Sequence, residues 1–346
     1  MNAKKIRVLV VDDSIVFREV LSIGISSDPD IEVVAKATDP FDARDKILEY
    51  QPDVMTCDIE MPKMNGIEFL KRLLPQYPLP VIVVSSVSEA VFDAMNAGAV
   101  DFVTKPDVQV PASIQNFIGD LIYKIKIASR AKVDGSKTLN SEGVVCSRGF
   151  RTAKILAIGA STGGTEALYS VMKALPPNTP GIVVVQHIPP VFSRMFAERL
   201  NKQTSLQVKE AENGDYVEQG RVLIAPGDRH IRIKKAGTKY RVECFEGERV
   251  NGHCPSVDVL FESVAKEAAG NAIGIILTGM GYDGAKGLLA MKRKGAMTIG
   301  QDEKSSVVYG MPKVAFDIGA VDRQASLEQI PQLIFKMLDM DGGLNG

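Results

Sequence analysis

The fold of the first part of the chain is decided by the stretch IRVLVVDDS at residues 6–14. Six apolar-leaning residues run directly into two aspartates, which is the pattern of a buried strand that ends at a polar edge. Similar apolar runs, with amphipathic helical segments between them, predict further strands at 32–35, 54–57, 80–84 and 99–103. Strands that alternate with helices predict parallel βαβ units in an open, doubly wound sheet.

The same alternation restarts at Lys154. Predicted strands lie at 154–158, 182–186, 222–225, 272–277 and 297–299, and predicted helices at 168–175, 191–200, 257–268 and 285–292. Two β-type runs within 230–245, separated by KKAGTK, predict a hairpin. We expect a flavodoxin-like (βα)5 domain in residues 1–125, then a second doubly wound, mainly parallel α/β domain in residues 153–346 with a small antiparallel hairpin.

Charge is distributed unevenly along the 346 residues, although the formal net charge is only −1. Residues 1–125 hold 12 Lys and Arg against 19 Asp and Glu, residues 126–152 hold 6 against 2, and residues 153–346 hold 23 against 21. The basic middle, rich in Ser and Gly, predicts a flexible linker. The alternative is that the preceding helix continues to about residue 128.

The cysteines and the apolar runs indicate a cytoplasmic protein. Cys57, Cys146, Cys244 and Cys254 show no CxxC spacing, which favours reduced thiols. The N-terminal residues lack the pattern of a signal peptide, and no apolar run approaches the roughly 18 residues that a membrane span needs.

Acidic side chains stand at the ends of predicted strands in the first domain. Asp12 and Asp13 close the first strand and Asp58 closes the third, so the three carboxylates converge at one sheet edge. Hard oxygen ligands of this kind suit Mg²⁺. With Ser85 and Lys105 at the same edge, the group fits phosphoryl transfer to a carboxylate. A single aspartate at a strand end is more often a helix N-cap, and only the combination favours this chemistry.

Four motifs resemble those of response-regulator receiver domains: VVDDS at 10–14, DIEMPKMNG at 58–66, VVSS at 83–86 and TKP at 104–106. The resemblance covers residues 5–125. It implies that Asp58 accepts the phosphoryl group and that Asp13 and Asp58 bind Mg²⁺ directly. Asp12 would hold a metal-bound water, and the backbone carbonyl of Glu60 would complete the ligand set.

The receiver resemblance also implies a switch. Ser85 and Phe102 match the switch hydroxyl and the switch aromatic, and Lys105 matches the lysine that contacts the phosphoryl group. Phosphorylation would draw the Ser85 hydroxyl toward the phosphoryl oxygens and free a space that Phe102 can occupy. The resemblance implies a histidine kinase as the phosphodonor.

A candidate nucleophile lies in the second domain, where GASTG at 159–163 follows a predicted strand and opens a helix. This G-x-S-x-G arrangement exposes Ser161 on a tight turn, with backbone N–H groups facing a developing oxyanion. The alternative is a dinucleotide-binding loop, which needs glycine at position 161 and an acidic strand end about 20 residues later. That later position carries His187, so the dinucleotide alternative fails on both counts.

A serine nucleophile needs a base, and the chain has only His187, His230 and His253. His187 follows the strand IVVVQ at the same sheet edge, which favours it. Asp283, in the Gly-rich loop TGMGYDG, is the candidate that orients the base, although it could instead cap the following helix. The chain order Ser, His, Asp differs from that of α/β-hydrolases.

Five further motifs resemble the chemotaxis protein-glutamate methylesterase family: GASTGG at 159–164, VVQHIPP at 184–190, APGDRH at 225–230, HCPSVDVLF at 253–261 and LTGMGYDGAKG at 277–287. The resemblance implies a Ser161–His187–Asp283 triad. Thr162 and Met280 would supply backbone groups near the oxyanion, and the side chain of His253 would line the cleft. No cofactor is implied for the ester chemistry.

The two resemblances together predict a phosphorylation-regulated serine esterase. It would demethylate glutamate methyl esters of methyl-accepting chemotaxis receptors and deamidate specific receptor glutamines, associating peripherally with receptor arrays. The unphosphorylated receiver could cover the catalytic cleft, or it could tether the enzyme to its receptor, and the sequence leaves both open. Two other function classes are a noncatalytic adaptor and a DNA-binding response regulator. The second needs a small basic output domain, whereas residues 153–346 carry a net charge of only +2, so no nucleic-acid partner is expected.

Overall fold

The computed structural model describes residues 4–86, 89–106, 110–133 and 154–339. The chain divides into two units, Met1–Thr138 and Leu139–Gly346. Most of the predicted linker, residues 134–152, lies outside the described residues. Its first three residues, 126–128, belong to the last helix of the first unit, as the alternative of a continued helix expected.

The first unit holds a five-stranded parallel sheet in the order β2-β1-β3-β4-β5. Its elements are β1 Ile6–Val11, α1 Ile15–Ser26, β2 Ile31–Ala37, α2 Pro40–Tyr50, β3 Val54–Asp58, α3 Gly66–Leu73, β4 Val81–Ser85, α4 Ala90–Asn96, β5 Asp101–Thr104 and α5 Pro111–Ala128. This is the flavodoxin-like strand order, so the predicted (βα)5 architecture is confirmed.

The central strands β3 and β4 are buried along their whole length, which explains their continuous apolar runs. Both strands extend one residue further than predicted. Asp58 and Ser85 are therefore the final residues of their strands, at the strand ends where the sequence placed them. The hydrogen bonds of the sheet consequently fix the backbone of both residues, at the edge where β1 also ends.

The second unit holds a seven-stranded parallel sheet in the order β14-β13-β12-β6-β7-β9-β8 and a separate hairpin, β10-β11. Its elements are β6 Ile155–Ala160, α6 Gly164–Lys173, β7 Ile182–Gln186, α7 Phe192–Gln203, β8 Gln207–Glu210, β9 Arg221–Ile224, β10 His230–Ala236, β11 Lys239–Phe245, α8 Val257–Glu267, β12 Ala272–Ile276, α9 Ala285–Arg293, β13 Met297–Gln301, α10 Met311–Asp317, β14 Arg323–Ala325 and α11 Ile330–Asp339. A short 3-10 helix, Ala269–Asn271, precedes β12. The predicted α/β fold with a small hairpin is confirmed.

The structure adds β8, β14 and α10, none of which the sequence pattern predicted. β8 and β14 are the two edge strands, with partly exposed residues and no apolar run that could mark them. The hairpin also has a tighter turn than predicted. Its strands extend into the KKAGTK segment, so that only Gly237 and Thr238 lie between them.

Helix α8 packs closely against the end of β6. A Cβ atom added at Gly159 would lie 2.2 Å from a methyl carbon of Val257, the first residue of α8. Only glycine permits this approach. The packing brings the N-terminus of α8 to the carboxyl edge of the central strand. No helix in the described ranges is long and apolar enough to cross a bilayer.

Candidate functional sites

Ser161 stands immediately after the central strand β6 and opens the turn into α6. Gly163 adopts a left-handed conformation with φ of 74°, and the Gly164 N–H donates to the Ser161 carbonyl at 2.7 Å. A Cβ atom at Gly164 would lie 2.2 Å from Gln186 Oε1, so close packing also requires glycine there. The helix begins four residues earlier than predicted, which places Ser161 directly at its N-terminal turn.

His187 and the loop that carries Asp283 lie on either side of Ser161. His187 follows β7, and its N–H donates to the carbonyl of Ala160 at 3.1 Å. On the other side, a Cβ atom at Gly279 would lie 2.6 Å from Ser161 Cβ, so the loop after β12 passes against the serine. The three neighbouring strands β12, β6 and β7 therefore deliver the predicted triad residues to one edge.

The imidazole of His187 pairs with Asp283, whose side chain is 1% exposed. Nε2 of His187 lies 2.9 Å from Asp283 Oδ2. The other ring nitrogen, Nδ1, is buried and has no hydrogen-bond partner among the described residues. In the described part of the chain, no hydrogen bond joins Ser161 to His187. Because Asp283 accepts the proton on Nε2, Nδ1 is the nitrogen that can accept one from a hydroxyl.

Asp283 is surrounded by hydrogen-bond donors. Ser256 Oγ and the Val257 N–H each donate to its carboxylate at 2.7 Å, the Asp258 N–H at 3.2 Å and Asn251 Nδ2 at 2.8 Å. Burial alone would raise the pKa of Asp283. The hydrogen bond and charge of His187, followed by the bonds from Asn251 and Ser256, outweigh burial and hold this pKa well below its usual range.

Asp283 does not cap the helix that follows it. The N-cap of α9 is Gly284, which makes no side-chain capping bond. The carboxylate instead meets the first two amides of α8, Val257 and Asp258, although those residues lie about 25 positions earlier in the chain. The positive end of a helix dipole stabilises an anion at that position.

His253 stacks on His187, with ring centroids 3.7 Å apart and planes 11° apart. It lies in a two-residue bridge with Val250 and not in an open loop. Burial, together with the neighbouring His187, lowers the pKa of His253 to about 4. His253 is therefore neutral at physiological pH and presents a flat, uncharged face to His187.

His230, the remaining candidate base, makes no hydrogen bond to Asp283 in the described part of the chain. Its Nε2 bonds the carbonyl of Glu248 at 2.8 Å, and its Nδ1 accepts from the Ser256 N–H at 3.2 Å. Both ring nitrogens are thus occupied by backbone groups. This histidine supports the chain at the start of α8 and is not available to take a proton from a serine.

The two residues implied for the oxyanion region lie beside Ser161. Thr162 follows it, is 6% exposed, and accepts at its carbonyl from Thr278 Oγ1 at 3.0 Å. The Ser161 N–H donates to the carbonyl of Thr278 at 3.0 Å. Met280 follows Gly279, and its N–H donates to no acceptor among the described residues. Thr278 therefore ties the serine turn to the loop that carries Met280.

Gln186 is a residue that the sequence reasoning missed. It is 3% exposed, and its Nε2 donates to the carbonyls of both Ser161 and His187, each at 3.0 Å. One amide thus braces the two loops that carry the predicted nucleophile and the predicted base. A polar residue at the end of an apolar strand was the only signal for it, and the same holds for Thr278.

In the first unit, the carboxylates of Asp12, Asp13 and Asp58 bring ligand atoms within 4.8 Å of one another. Asp12 and Asp58 are buried and Asp13 is exposed. Burial, followed by the charge of Asp58, raises the pKa of Asp12 against the opposing effect of Lys105. A cation bound here would relieve that crowding of charge, so this donor set fits Mg²⁺.

Lys105 lies at the same edge, as predicted. Its Nζ is 2.6 Å from Asp58 Oδ2 and 3.1 Å from Asp12 Oδ2. Burial alone would lower the pKa of Lys105, but the bond to Asp58 and the charges of both aspartates raise it. The ammonium group therefore stays charged beside the carboxylate of Asp58.

Glu60, Ser85 and Phe102 are the other residues that the receiver resemblance implies. The Glu60 N–H donates to Asp58 Oδ1 at 3.2 Å. The hydroxyl of Ser85 is buried without a hydrogen-bond partner in the described ranges. Phe102 is 4% exposed and packs edge-on against Phe92, with centroids 6.5 Å apart. The ring is buried in this unphosphorylated structure, and its movement on phosphorylation stays a prediction.

The fold and the two sites define the class of protein. It is a response-regulator receiver joined to an α/β domain that carries the residue types of a serine hydrolase. The receiver domain family matches residues 8–112, and the CheB methylesterase family matches residues 156–334. The chain belongs to the CheB methylesterase family.

Relatives support the assignment along the full length. A protein of Syntrophomonas wolfei subsp. wolfei named protein-glutamate methylesterase/protein-glutamine glutaminase 2 is 56% identical over 98% of this chain and 99% of its own. A protein of Salmonella typhimurium with the same name, without the number, is 46% identical over 95% of each chain. The crystal structure of the Thermotoga maritima CheB methylesterase catalytic domain is 39% identical, covers 54% of this chain and 98% of that chain, and has a TM-score of 0.52.

Proposed function

We propose that this protein is a phosphorylation-regulated esterase that hydrolyses glutamate methyl esters on methyl-accepting chemotaxis receptors. The same site would deamidate specific receptor glutamines. The observation that carries the proposal is the buried His187–Asp283 pair, with a bond of 2.9 Å, at the sheet edge where Ser161 leaves the central strand. Family membership supplies the substrate class, because the relatives are named for both activities.

In the proposed reaction, Ser161 Oγ attacks the ester carbonyl carbon while Nδ1 of His187 takes the hydroxyl proton. The bond to the methoxy oxygen breaks, and the same proton passes to it, so methanol leaves and an acyl-enzyme forms. Water then attacks the acyl carbon and gives one proton to Nδ1, which passes it to Ser161 Oγ as the bond between the acyl carbon and Oγ breaks. The glutamic acid that leaves releases water's second proton to solvent and becomes the carboxylate. With a glutamine substrate the leaving group is ammonia.

Charge develops in two places during this reaction, and the site has a group for each. Backbone groups at Thr162 and Met280 would meet the oxyanion, and donors of this kind typically contribute about 10²–10³ in rate each. Asp283 would stabilise the imidazolium that forms at His187. Its own charge is held by four donors, so it does not compete for the proton.

Regulation would begin at Asp58, which accepts a phosphoryl group from the phosphohistidine of a chemotaxis histidine kinase. Bound Mg²⁺, held by Asp13, Asp58, the Glu60 carbonyl and a water on Asp12, would neutralise the phosphoryl oxygens. Lys105 Nζ, 2.6 Å from Asp58 in the unphosphorylated structure, would then pair with the phosphoryl group. The unpartnered hydroxyl of Ser85 would bond another of its oxygens.

The domain limits proposed for this function are a receiver that ends with α5 at Ala128, a basic linker in residues 129–152 and a catalytic domain in 153–346. The enzyme would work in the cytoplasm and associate peripherally with receptor arrays. Nucleic acid has no place in the proposal.

Methanol release from methylated receptor membranes tests the proposal. Wild type should release methanol, Ser161→Ala should release none above background, and acetyl phosphate with Mg²⁺ should accelerate only the wild type. Ser326→Ala is a matched control, because its hydroxyl makes no hydrogen bond with a described residue. Equal release by wild type and Ser161→Ala would leave a noncatalytic adaptor as the function.

A further inference from the structure

A tight turn at residues 250–253 lies over the His187–Asp283 pair. Val250 and His253 bond each other through both backbone N–H groups at 3.0 Å, and the two residues between them are left-handed. Asn251 has φ of 54° and Gly252 has φ of 84°. Asn-Gly is the sequence that this two-residue turn prefers, so the backbone holds the Asn251 side chain in place.

The amide of Asn251 joins two buried carboxylates. Its Nδ2 donates to Asp283 Oδ1 at 2.8 Å and to Asp258 Oδ2 at 2.7 Å. Asp283 is 1% exposed and Asp258 is 4% exposed. Both N–H bonds of one neutral group are therefore used to separate two negative charges in the interior.

Among the residues that the structure describes, Asp258 has no cationic partner within hydrogen-bond distance. It accepts from the Gly287 N–H at 2.7 Å, and burial, with the charge of Asp283 as a lesser cause, raises its pKa. Without Asn251, two mutually repelling carboxylates would face each other directly, and the pair would retain a proton at a higher pH.

The same turn contacts the other member of the pair. His253, at the end of the turn, stacks on the His187 ring at a centroid distance of 3.7 Å. Asn251 thus donates a hydrogen bond to the carboxylate of Asp283, which pairs with the imidazole, while His253 covers one face of the imidazole. The side chains of Asn251 and His253 therefore contact both members of the His187–Asp283 pair.

We propose that Asn251 is a positioning residue for ester hydrolysis. Its amide fixes Asp283 in the orientation that bonds Nε2 of His187, and this keeps Nδ1 available for the proton of Ser161. The inference rests on the proposed function of the triad and assigns to Asn251 no contact with the substrate.

The charged and titratable groups that interact with Asp283, Asp258 or His253 come from four segments of the chain. They are His187 after β7, Arg249 and His253 around the turn, Asp258 and Glu262 on α8, and Lys286 on α9.

Two substitutions distinguish the effect of the Asn251 side-chain amide from the effect of the turn backbone. Asn251→Gly keeps the left-handed backbone and removes both hydrogen bonds. Asn251→Asp keeps the shape, tolerates the same backbone and replaces the donor with a third carboxylate. Val250→Thr, in the same turn and 37% exposed, is the matched control.

The assay uses the full chain and methylated receptor membranes. For Asn251→Gly we expect kcat to fall about ten- to a hundredfold, the loss typical of a hydrogen bond to a charged group, with KM unchanged. The acid limb of the pH profile should move to higher pH, because Asp283 is protonated more easily. Asn251→Asp should show a larger fall and a larger shift, and Val250→Thr should match the wild type.

A spectroscopic readout is independent of turnover. The proton between His187 Nε2 and Asp283 should give a downfield NMR resonance in the wild type that weakens or moves upfield in both Asn251 variants. Circular dichroism verifies that each variant is folded. If Ser161→Ala is inactive but both Asn251 variants keep the wild-type kcat, pH profile and resonance, Asn251 has no positioning role. If Ser161→Ala is active, the proposed function itself fails.

Discussion

Buried aspartates stand at the carboxyl edge of a parallel sheet in both units, yet their surroundings are opposite. Asp12 shares its site with Asp58, and burial with this neighbouring charge raises its pKa. Asp283 accepts bonds from His187 and from donors at the start of α8, and these lower its pKa despite burial. Burial therefore does not decide the chemistry of a carboxylate; the number of donors that reach it does.

The difference matches what each site is proposed to bind. The first site is short of positive charge and suits a cation and an incoming phosphoryl group. The second is complete without any added ion, because hydrogen-bond donors already offset the charge of Asp283. Each of the following experiments changes one side of this comparison.

The largest expected effect comes from Asp283→Asn. The amide has the same shape, but its NH₂ group would face the N–H donors of α8 and could no longer stabilise an imidazolium at His187. We expect kcat to fall by about 10³–10⁴, the loss typical of such a change in a triad. The control is Asp317→Asn, an exposed aspartate that pairs with Lys313 on the surface of α10. A fall of less than about tenfold would show that Asp283 does not serve as the carboxylate of a triad.

Adding Mg²⁺ should stabilise the first unit alone. At a concentration 100 times the dissociation constant, a ligand stabilises its folded partner by about 2.7 kcal/mol. Hydrogen exchange of the β1 and β3 amides in the full chain should slow accordingly, and that of the β6 amides should not. Asp13→Asn should reduce the effect. Equal protection of β6 would mean that the second unit also binds a cation, and the two sites would then not differ in their need for positive charge.

The smallest expected effect is a loss of folding stability at acid pH through protonation of His253. Its folded pKa of about 4 lies below the ordinary 6.5, so the unfolded chain binds more protons between these pH values. The stability that His253 contributes is therefore fully present above pH 6.5 and is lost as pH falls toward 4, by on the order of 2–3 kcal/mol.

His253→Phe keeps a flat ring beside His187 and cannot bind a proton. Urea unfolding of the full chain, followed through exchange of α8 amides, should show a shallower loss of stability between pH 6.5 and 4 than in the wild type. Identical slopes for the two proteins would contradict the proton linkage.

Local patterns were enough to predict much of both sites. Strand ends are marked by apolar runs that stop at a polar residue, so Asp12, Asp58 and His187 could be assigned to sheet edges. The edge strands β8 and β14 could not be found in this way, because half-exposed residues carry no apolar run. Helix α6 begins earlier than predicted. Gly163 and Gly164 disfavour a helix by propensity, so the sequence pattern did not mark its start, but close packing in the turn after Ser161 requires glycine at both positions.

The sequence by itself determined two α/β units, the edge of each sheet that carries the chemistry, and the residues that resemble a receiver and a methylesterase. All of this depends on contacts between residues close in the chain, which leave a periodic pattern. Only the tertiary structure decided that Asp283 meets the N-terminus of α8, that Gln186 braces Ser161 and His187, and that Asn251 separates two buried carboxylates. Those contacts join residues that are distant in the chain, and their strength comes from burial and from donor geometry. Neither property leaves a pattern along the sequence.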